Sequence, residues 1–414
     1  MRRPKWIPTF GADGALRLRF PRIAGWPREQ IVATAEDFEY LPMRGGMRSY
    51  NRVVPLRAGA ETFPAMLAAM ALAETEILLE SYTLRADRIG QHFKTVLVQR
   101  ARAGVAVRVM FDSLGSFGLE SDYVDDLRKA RIEVVEYAPI APWRPRWGVN
   151  RRDHQKILVV DRKIGFTGGI NIGDEYVPLD QGGGGWHDMH AQVEGPAAVD
   201  LARLFHKTWT KAGGAAFGVP RAVRSLAPSH EYPTFVQTIS NHGLITRSRM
   251  RHAYLRAIRR AEERIDIMNA YFLPDRGLRR AFYDAVRRGV QVRVIVPSES
   301  DVQAVYYASR HLYTRLMRGG VRIFEWPERM MHAKLAVIDG VWSTIGSFNI
   351  DRRSFLHNLE CGVILVDRLH SRRLRDDFDR DVAGCREIQG AEWGKRALWE
   401  KLFERFFFQL RYWL

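Results

Sequence analysis

The sequence HQKILVVD at residues 154–161 returns in outline as HAKLAVID at residues 332–339. In both copies a lysine follows the histidine by two residues and an aspartate follows the lysine by five. A tail with an asparagine comes next, GGIN at 168–171 and GSFN at 346–349. One such match would be weak evidence, because short patterns recur by accident. A matched pair with matched tails indicates a duplicated functional unit.

Each copy has the pattern of a β-hairpin, because a short apolar run lies between the lysine and the aspartate and a second one follows the polar turn. Residues two apart in a strand share a face, so the histidine and the lysine of each copy point the same way. A turn centred between residues 162 and 163 would put His154 opposite Asn171. A turn centred between 340 and 341 would put His332 opposite Asn349. We therefore expect each copy to bring an imidazole, an ammonium and a carboxamide together.

This set of side chains suits a phosphoryl group. Lys156 and Lys334 supply positive charge, and Asn171 and Asn349 donate hydrogen bonds to non-bridging oxygens. Two histidines can divide the roles of nucleophile and general acid, so this chemistry requires no metal and no other cofactor. The alternative is that each histidine is a structural residue at the end of a strand, which the duplication disfavours.

Asp161 and Asp339 stand where the turns begin. An aspartate in this position usually accepts hydrogen bonds from the backbone. We interpret both as supports for the hairpin and the lysine within the active-site signature, and not as proton carriers.

Bulk properties narrow the class of protein. A chain of 414 residues is long enough for two domains. Its formal net charge of +17 implies an anionic partner, and nucleic acid and an anionic membrane surface satisfy this equally well. Cys361 and Cys385 are the two cysteines, which excludes a disulfide framework and a cysteine-based zinc site and favours a reducing cytosol. The sequence contains no apolar run of about 18 residues and no secretory signal pattern.

The two halves repeat each other beyond the motifs. Residues 63–116 and 252–298 both have the pattern helix, strand, helix, strand. Gly104 and Gly289 follow basic helix ends, as expected where a helix stops before a strand. The alternation predicts an α/β fold in which each half is a mostly parallel sheet flanked by helices, with the motif hairpin at one margin.

The pattern divides the chain into five segments: an unassigned N-terminal extension (1–50), a first domain (51–212), a linker rich in Gly, Ala, Pro and Ser (213–233), a second domain (234–388) and an amphipathic C-terminal segment (389–414).

The last segment repeats apolar residues at helical spacing among cations, which fits an in-plane membrane anchor or, alternatively, a helix docked on the domain. The stretch 139–147, with its Trp, Pro and Arg residues, fits a bilayer interface or a braced surface loop. The glycines at 182–185 indicate a flexible connection or, alternatively, a gating loop.

The paired segments, written His-x-Lys-x4-Asp-x6-Gly-Gly/Ser-x-Asn, resemble the phospholipase D superfamily, and their flanks resemble the bacterial cardiolipin synthases. The similar stretches lie between about residues 50 and 385 and include NIGDEY at 171–176, WHD at 186–188, AYFLP at 270–274, NIDRRS at 349–354 and NLE at 358–360. The resemblance implies two similar phospholipase D-like α/β halves with one active site at their interface. Cardiolipin synthases often begin with membrane-spanning helices, so a chain without them is expected to be of the peripheral kind.

The resemblance also assigns roles to residues. The catalytic residues that it implies are His154, Lys156, Asp161, His332, Lys334 and Asp339. An acidic residue commonly bonds the far nitrogen of each imidazole, and we pair Asp188 with His154 and Glu360 with His332. A surface salt bridge is the alternative for both carboxylates. The superfamily makes His154 the nucleophile and His332 the general acid, although the reverse assignment stays open.

The implied reaction is phosphatidyl transfer between phospholipids through a phosphohistidine intermediate. Phosphatidylglycerol is the expected acceptor and donor, phosphatidylethanolamine is an alternative donor, and cardiolipin is the product. We expect the partners to be anionic phospholipids and the cytoplasmic face of a bacterial membrane, with no obligatory nucleic acid. A phospholipase D-type hydrolase, or a nuclease or phosphodiesterase acting on nucleic acid, is the alternative, because the positive charge suits it too. A non-catalytic lipid-binding protein is disfavoured, because His, Lys and Asn are intact in both halves.

Overall fold

A computed structural model describes residues 9–10, 15–19, 29–34, 36–41, 46–144, 146, 150–219, 234–243, 248–327 and 330–412. For the first three ranges only the backbone is described. Much of the predicted N-terminal extension, most of the predicted linker and parts of the stretch 139–147 lie outside these ranges, as does Trp413.

The described strands are β1 (Thr9–Phe10), β2 (Ala15–Arg19), β3 (Glu29–Thr34), β4 (Met47–Arg57), β5 (Glu76–Ser81), β6 (Ala106–Asp112), β7 (Glu133–Tyr137), β8 (Ile157–Val160), β9 (Ile164–Gly168), β10 (Met189–Glu194), β11 (Thr234–Ser240), β12 (Arg264–Asn269), β13 (Gln291–Pro297), β14 (Arg322–Trp326), β15 (Lys334–Ile338), β16 (Trp342–Gly346), β17 (Cys361–Val366) and β18 (Arg386–Glu387).

The described helices are α1 (Ala58–Ala71), α2 (Arg88–Arg102), α3 (Ser121–Lys129), α4 (Pro196–Ala212), α5 (Arg249–Arg260), α6 (Arg276–Arg287), α7 (Gln303–Arg318), α8 (Arg352–Leu356), α9 (Arg368–Gly384), α10 (Gly390–Gly394) and α11 (Leu398–Gln409). Three 3₁₀ turns lie at Glu36–Tyr40, Asp174–Tyr176 and Leu179–Gln181. The helix stops predicted at Gly104 and Gly289 are confirmed, because both follow a helix and adopt positive φ values of 92° and 91°.

One sheet of 15 strands runs through both halves, in the order β18-β14-β13-β12-β15-β16-β17-β11-β4-β10-β9-β8-β5-β6-β7. The halves join where β11 lies beside β4. The first part of β4, from Met47 to Asn51, pairs with β11, and its second part, from Arg52 to Arg57, pairs with β10. A small separate sheet contains β1, β2 and β3.

The predicted α/β class is confirmed, but the predicted direction of most strands is wrong. Among the described strands, the parallel pairs are those within β5-β6-β7 and β12-β13-β14. The strands nearer the junction of the halves are antiparallel. Short turns join β8 to β9 and β15 to β16, and a short turn can return only an antiparallel strand, whereas a helix joins β5 to β6 and β12 to β13.

The motif hairpins lie inside the sheet and not at a margin, because β8 pairs with β5 while β9 pairs with β10. Their register also differs from the prediction by one residue. Ile157 pairs with Thr167, where the predicted turn centre required Gly168, and the second copy shows the same difference. The cause is a tight turn in which Asp161 and Arg162 adopt left-handed φ values of 51° and 54°. A shift of one residue changes which side chains of the second strand share a face with the histidine.

The two turn aspartates fix each hairpin to the neighbouring strand. The Asp161 carboxylate accepts hydrogen bonds from the backbone N–H groups of residues 74, 75 and 76, at 2.7–2.9 Å. Asp339 does the same with residues 262, 263 and 264, also at 2.7–2.9 Å. Burial raises the pKa of Asp161, but these hydrogen bonds outweigh that effect and the net shift is downward. The Asp161 side chain therefore remains an anionic support of β5 at neutral pH.

Helix α11 packs against α7 by stacking aromatic side chains. The ring of Phe407 stacks on Tyr307 at 5.8 Å, and Phe408 stacks on His311 at 4.5 Å. The opposite face of α11 is open to solvent, with Leu398 77% exposed and Leu402 65% exposed. The C-terminal segment thus docks on the domain with one face and leaves a second apolar face uncovered. Within the ranges that the structure describes, no helix is long and apolar enough to cross a bilayer.

Candidate active site

Both motif histidines open into one cavity of about 430 Å³ between the halves. His154 and Asn171 line it from the first half, and His332 and Asn349 line it from the second. The wall also contains aromatic, charged and aliphatic side chains, among them Tyr82, Tyr176, Trp186, Tyr271, Arg152, Arg353, Asp301, Leu114 and Val305. The duplicated motifs therefore build one site and not two.

A carboxylate from the opposite half bonds each histidine. His154 Nδ1 lies 2.9 Å from Glu360 Oε2, and His332 Nδ1 lies 2.8 Å from Asp188 Oδ2. Both carboxylates are fully buried, so neither forms a surface salt bridge. This corrects the predicted pairing of Asp188 with His154 and of Glu360 with His332.

Two short parallel bridges explain the crossed pairing. Asp153 bridges to Leu359, and His187 bridges to Met331. His154 follows Asp153 and Glu360 follows Leu359, so the first bridge places this histidine beside this carboxylate. Asp188 and His332 follow the partners of the second bridge in the same way. Four backbone hydrogen bonds of 2.7–3.0 Å hold these segments together. Spacing along the chain could not reveal this, because the bridges join residues more than 140 positions apart.

The difference between the two motif tails has a steric reason. A Cβ atom on Gly169 would lie 2.2 Å from Asp188 Oδ1, so a side chain there would displace that carboxylate. The equivalent residue of the second tail is Ser347, whose hydroxyl donates a hydrogen bond to Glu360 Oε2. The first tail leaves room for its carboxylate, and the second supplies a donor to it.

The two lysines lie behind the histidines and do not line the cavity. Lys156 Nζ donates to the backbone oxygen of His154 at 2.8 Å. Lys334 Nζ donates to the backbone oxygen of His332 and lies 2.8 Å from its Nδ1. Burial is the main cause that lowers the pKa of Lys156 to about 7 and that of Lys334 to about 8. Both amines consequently titrate close to neutral pH.

The two histidine–carboxylate pairs differ in their electrostatics. Burial, followed by the charges of Lys156 and Lys334, lowers the pKa of His154 well below its ordinary value. Burial also raises the pKa of its partner, Glu360, to about 7. Asp188 behaves differently: burial raises its pKa, but the neighbouring Lys334 and His332 outweigh this and the net shift is downward. The second pair therefore has the more firmly ionised carboxylate.

The two asparagines have different surroundings. Asn171 accepts a hydrogen bond from the N–H of Thr83 at 3.2 Å and donates to the Tyr176 hydroxyl at 2.9 Å. The buried Oδ1 of Asn349 has no hydrogen-bond partner among the described residues. The Tyr176 hydroxyl also lies 3.2 Å from His332 Nδ1, so this tyrosine links the two halves of the site.

The sequence analysis missed a buried ion pair beside the cavity. Arg152 is 2% exposed and pairs with the fully buried Asp112 at 2.6 Å. Asp112 ends β6, and the carboxyl end of a parallel strand is where polar site residues often gather. It also missed Asp301, a cavity residue that accepts a hydrogen bond from the Tyr271 hydroxyl at 2.7 Å. That residue has no sequence signal, since it stands in a loop.

The described residues also define what the site could hold. Among them, no group of three or more His, Cys, Asp or Glu side chains is placed to bind a metal ion. Backbone N–H groups, histidines and lysines already engage the two buried carboxylates. The metal-free chemistry stays a prediction that an assay with chelator can test.

The lysine pKa values predict how anions bind to the cavity. We expect sulfate to bind most tightly below pH 7 and to lose about tenfold in affinity by pH 9, because Lys156 and Lys334 lose their protons across this interval. Sulfate keeps its own charge over this range, so the change reports the protein alone. Isothermal titration calorimetry at successive pH values would measure the effect. An affinity that stays constant with pH would contradict it.

A family model described as "Cardiolipin synthase, PLD-like domain" matches residues 66–207 and 254–382 of this chain. Cardiolipin synthase 2 of Bacillus cereus is 34% identical over 349 residues, which cover 84% of this chain and 68% of that protein. Cardiolipin synthase A of Pseudomonas syringae pv. syringae is 32% identical over 376 residues, which cover 89% of this chain and 77% of that protein.

Solved structures share the fold. Phosphatidylserine synthase from Haemophilus influenzae Rd KW20 aligns with a TM-score of 0.65 at 13% identity, over 87% of this chain and 95% of that one. Polyphosphate kinase from Porphyromonas gingivalis aligns with a TM-score of 0.55 at 14% identity, over 90% of this chain and 53% of that one. At these identities the likeness concerns the arrangement of the chain and not its substrate.

Proposed function

Since this chain belongs to the cardiolipin synthase family of phospholipase D-like enzymes, we propose that it makes cardiolipin by transferring a phosphatidyl group from one phospholipid to another. The observation that carries the proposal is the single cavity with both motif histidines in its wall. A phosphorus atom in this cavity would be accessible to both imidazoles in turn. The opposed carboxylates would keep each ring oriented for that purpose.

The first step of the proposed reaction forms a phosphohistidine. The depressed pKa of His154 keeps its Nε2 unprotonated while Glu360 engages Nδ1. Nε2 attacks the phosphorus of the donor lipid, a P–N bond forms and the P–O bond to the headgroup alcohol breaks. His332, supported by the ionised Asp188, donates its proton to the departing oxygen. Burial and Lys334 lower the pKa of His332 as well, but the hydrogen bond and charge of Asp188 oppose this shift, which supports His332 as the acid and His154 as the nucleophile.

The second step releases the product. The hydroxyl of an acceptor lipid gives its proton to His332, and its oxygen attacks the phosphorus. The P–N bond breaks and returns neutral His154. We propose phosphatidylglycerol as the acceptor and the donor, with phosphatidylethanolamine as an alternative donor. The same cavity would hydrolyse the intermediate if water replaced the acceptor.

Lysines and asparagines stabilise the charge on the non-bridging oxygens in this proposal. Asn171 and Asn349 line the cavity and can donate directly. Lys156 and Lys334 would turn their ammonium groups toward the phosphate and away from the histidine carbonyls that they contact in the structure. A bound phosphate anion would also raise the pKa of both lysines and keep them charged.

We propose that the enzyme works as a peripheral protein at the cytoplasmic face of a bacterial membrane. The uncovered face of α11 includes Trp399, 58% exposed, and Phe406, 60% exposed, beside Leu398 and Leu402. Aromatic and aliphatic side chains on one face of a helix, on a protein of net charge +17, suit an anionic bilayer interface.

One assay separates this function from that of a nuclease. We expect the purified protein to convert phosphatidylglycerol vesicles to cardiolipin and free glycerol in the presence of chelator, and to leave single-stranded DNA intact. His154→Ala should abolish the lipid product, whereas His92→Ala, which changes an exposed histidine of α2, should not. Cleavage of DNA without any lipid product would favour the nuclease, and a requirement for metal would overturn the proposed mechanism.

A further inference from the structure

A second cavity, of about 450 Å³, lies outside the catalytic site, and arginines dominate its wall. We call it the arginine pocket; its six arginines are Arg251, Arg276, Arg279, Arg315, Arg352 and Arg411. They come from α5, α6, α7, α8 and the end of the chain after α11. So many cations from separate elements meet at one point because of the fold and not because of a local run of charge.

Among the described residues that line the arginine pocket, Asp275 is the one that carries a carboxylate. It bonds Arg251 at 2.5 Å and caps α6 through the N–H groups of Gly277 and Leu278, at 2.7 and 3.0 Å. Its charge is therefore already shared between a cation and a helix end. Among the residues that the structure describes, no salt bridge joins the other five arginines to a carboxylate.

Arg279 shows the electrostatic consequence of this crowding. Its side chain is only 8% exposed, and its guanidinium donates to the backbone oxygen of Pro274 at 2.6 Å. Burial is the main cause that lowers its pKa; the like charges of Arg315 and Arg276 act in the same direction, and Tyr283 and Asp275 oppose them. An anion in the pocket would relieve this repulsion. Planar guanidinium groups bind phosphate oxygens in pairs, which makes a phosphate group the best match for the pocket.

The arginine pocket and the catalytic cavity share a wall. Arg352 lines the first and its neighbour Arg353 lines the second. In the loop after β12, Leu273 lines the arginine pocket and Tyr271 lines the catalytic cavity. A group held in the arginine pocket would thus lie beside the substrate without touching the motif histidines.

Helix α11 connects the arginine pocket to the proposed membrane face. Phe408, near the end of α11, and Tyr412, just after it, line the pocket, and Tyr412 also packs on Arg352 at 4.2 Å. The uncovered residues Leu402 and Phe406 precede them on the same helix. A phospholipid whose phosphate lay in the pocket would have apolar side chains available beside its acyl chains.

We propose that the arginine pocket binds the phosphate of an anionic membrane phospholipid that is not itself transferred, and that this lipid holds the catalytic cavity against the bilayer. The inference rests on the proposed function for the location of the membrane. The binding itself does not depend on catalysis and can be measured in a variant that cannot turn over.

The test uses the full chain in the His154→Ala background, with sedimentation on vesicles of phosphatidylcholine containing phosphatidylglycerol. Arg276→Glu with Arg315→Glu reverses two exposed charges of the pocket. The matched control is Arg280→Glu with Arg318→Glu, which changes exposed arginines on the same two helices outside the pocket. We expect the pocket variant to bind on the order of tenfold more weakly than the control variant, because it also loses direct contacts to phosphate. Circular dichroism establishes that both variants are folded.

Two further arms identify the ligand. Vesicles in which a fatty acid supplies the same negative charge should show a smaller difference between the two variants, because a carboxylate offers two oxygens to the guanidinium groups whereas a phosphodiester offers four. Inorganic phosphate should compete only weakly with the lipid vesicles. Equal losses in both variants on phosphatidylglycerol would mean a diffuse charge effect and would overturn the proposal, as would strong competition by free phosphate. In the His154 wild-type background, cardiolipin formation from detergent-dispersed phosphatidylglycerol should be the same in both variants. If neither variant formed cardiolipin in that assay, the result would count against the proposed function and not against the pocket. A loss in the pocket variant alone would mean that the pocket takes part in catalysis and would overturn the proposal.

Discussion

His332→Ala is expected to trap a phosphatidyl group on His154 when the substrate carries a leaving group that needs no acid. With a p-nitrophenyl ester of phosphatidic acid, attack by His154 should release one equivalent of nitrophenol in a burst. Turnover should then stop, because no base remains to activate the acceptor. Quenched protein should carry the label on His154, found by mass spectrometry under alkaline conditions. With phosphatidylglycerol as substrate, the same variant should lose on the order of 10⁴-fold or more in kcat.

His154→Ala should show neither burst nor label with either substrate, because the nucleophile is gone. The pair of variants therefore tests which histidine is the nucleophile and which is the acid, and not only whether both are needed. A burst in His154→Ala together with none in His332→Ala would reverse the two roles. The pKa of His154 is lowered well below its ordinary value, and that of His332 is also lowered, so the proposed roles require the ionised Asp188 to keep a proton on His332.

The crossed carboxylates give the second expectation. Asp188→Asn should resemble His332→Ala, with a burst from the nitrophenyl substrate and slow turnover of phosphatidylglycerol, because Asp188 bonds His332. Glu360→Gln should instead weaken the burst itself, because Glu360 bonds His154. Each substitution should lower cardiolipin formation by about 10²- to 10⁴-fold, as expected when an orienting carboxylate is lost.

A double-variant comparison makes the crossed pairing testable without a structure. Adding Asp188→Asn to His332→Ala should cost little more than His332→Ala alone, since the two residues act as one unit. Adding Glu360→Gln to His332→Ala should remove most of the remaining burst. If the carboxylates acted within their own halves, as the sequence alone suggested, these two results would exchange places.

Much of this site could be predicted from the sequence, because duplication is visible in one dimension. The motif residues, the turn aspartates, the asparagines and the two carboxylates were all named from pattern and resemblance, and the α/β class followed from the alternation of helices and strands. The predictions failed where the pairing of strands and of side chains decided the answer. The parallel strand direction was wrong for the central sheet, and the hairpin register was off by one residue because Asp161 and Arg162 both adopt left-handed backbone.

By itself the sequence determined which chemical groups this protein carries, and that it carries them twice. The spacing of two residues along the chain keeps His154 and Lys156 close together. Only the tertiary structure decided which carboxylate orients which imidazole, because parallel bridges between the halves bring Glu360 to His154 and Asp188 to His332. The arginine pocket also belongs to the tertiary structure alone, since its cations come from five elements that meet only when the chain is folded.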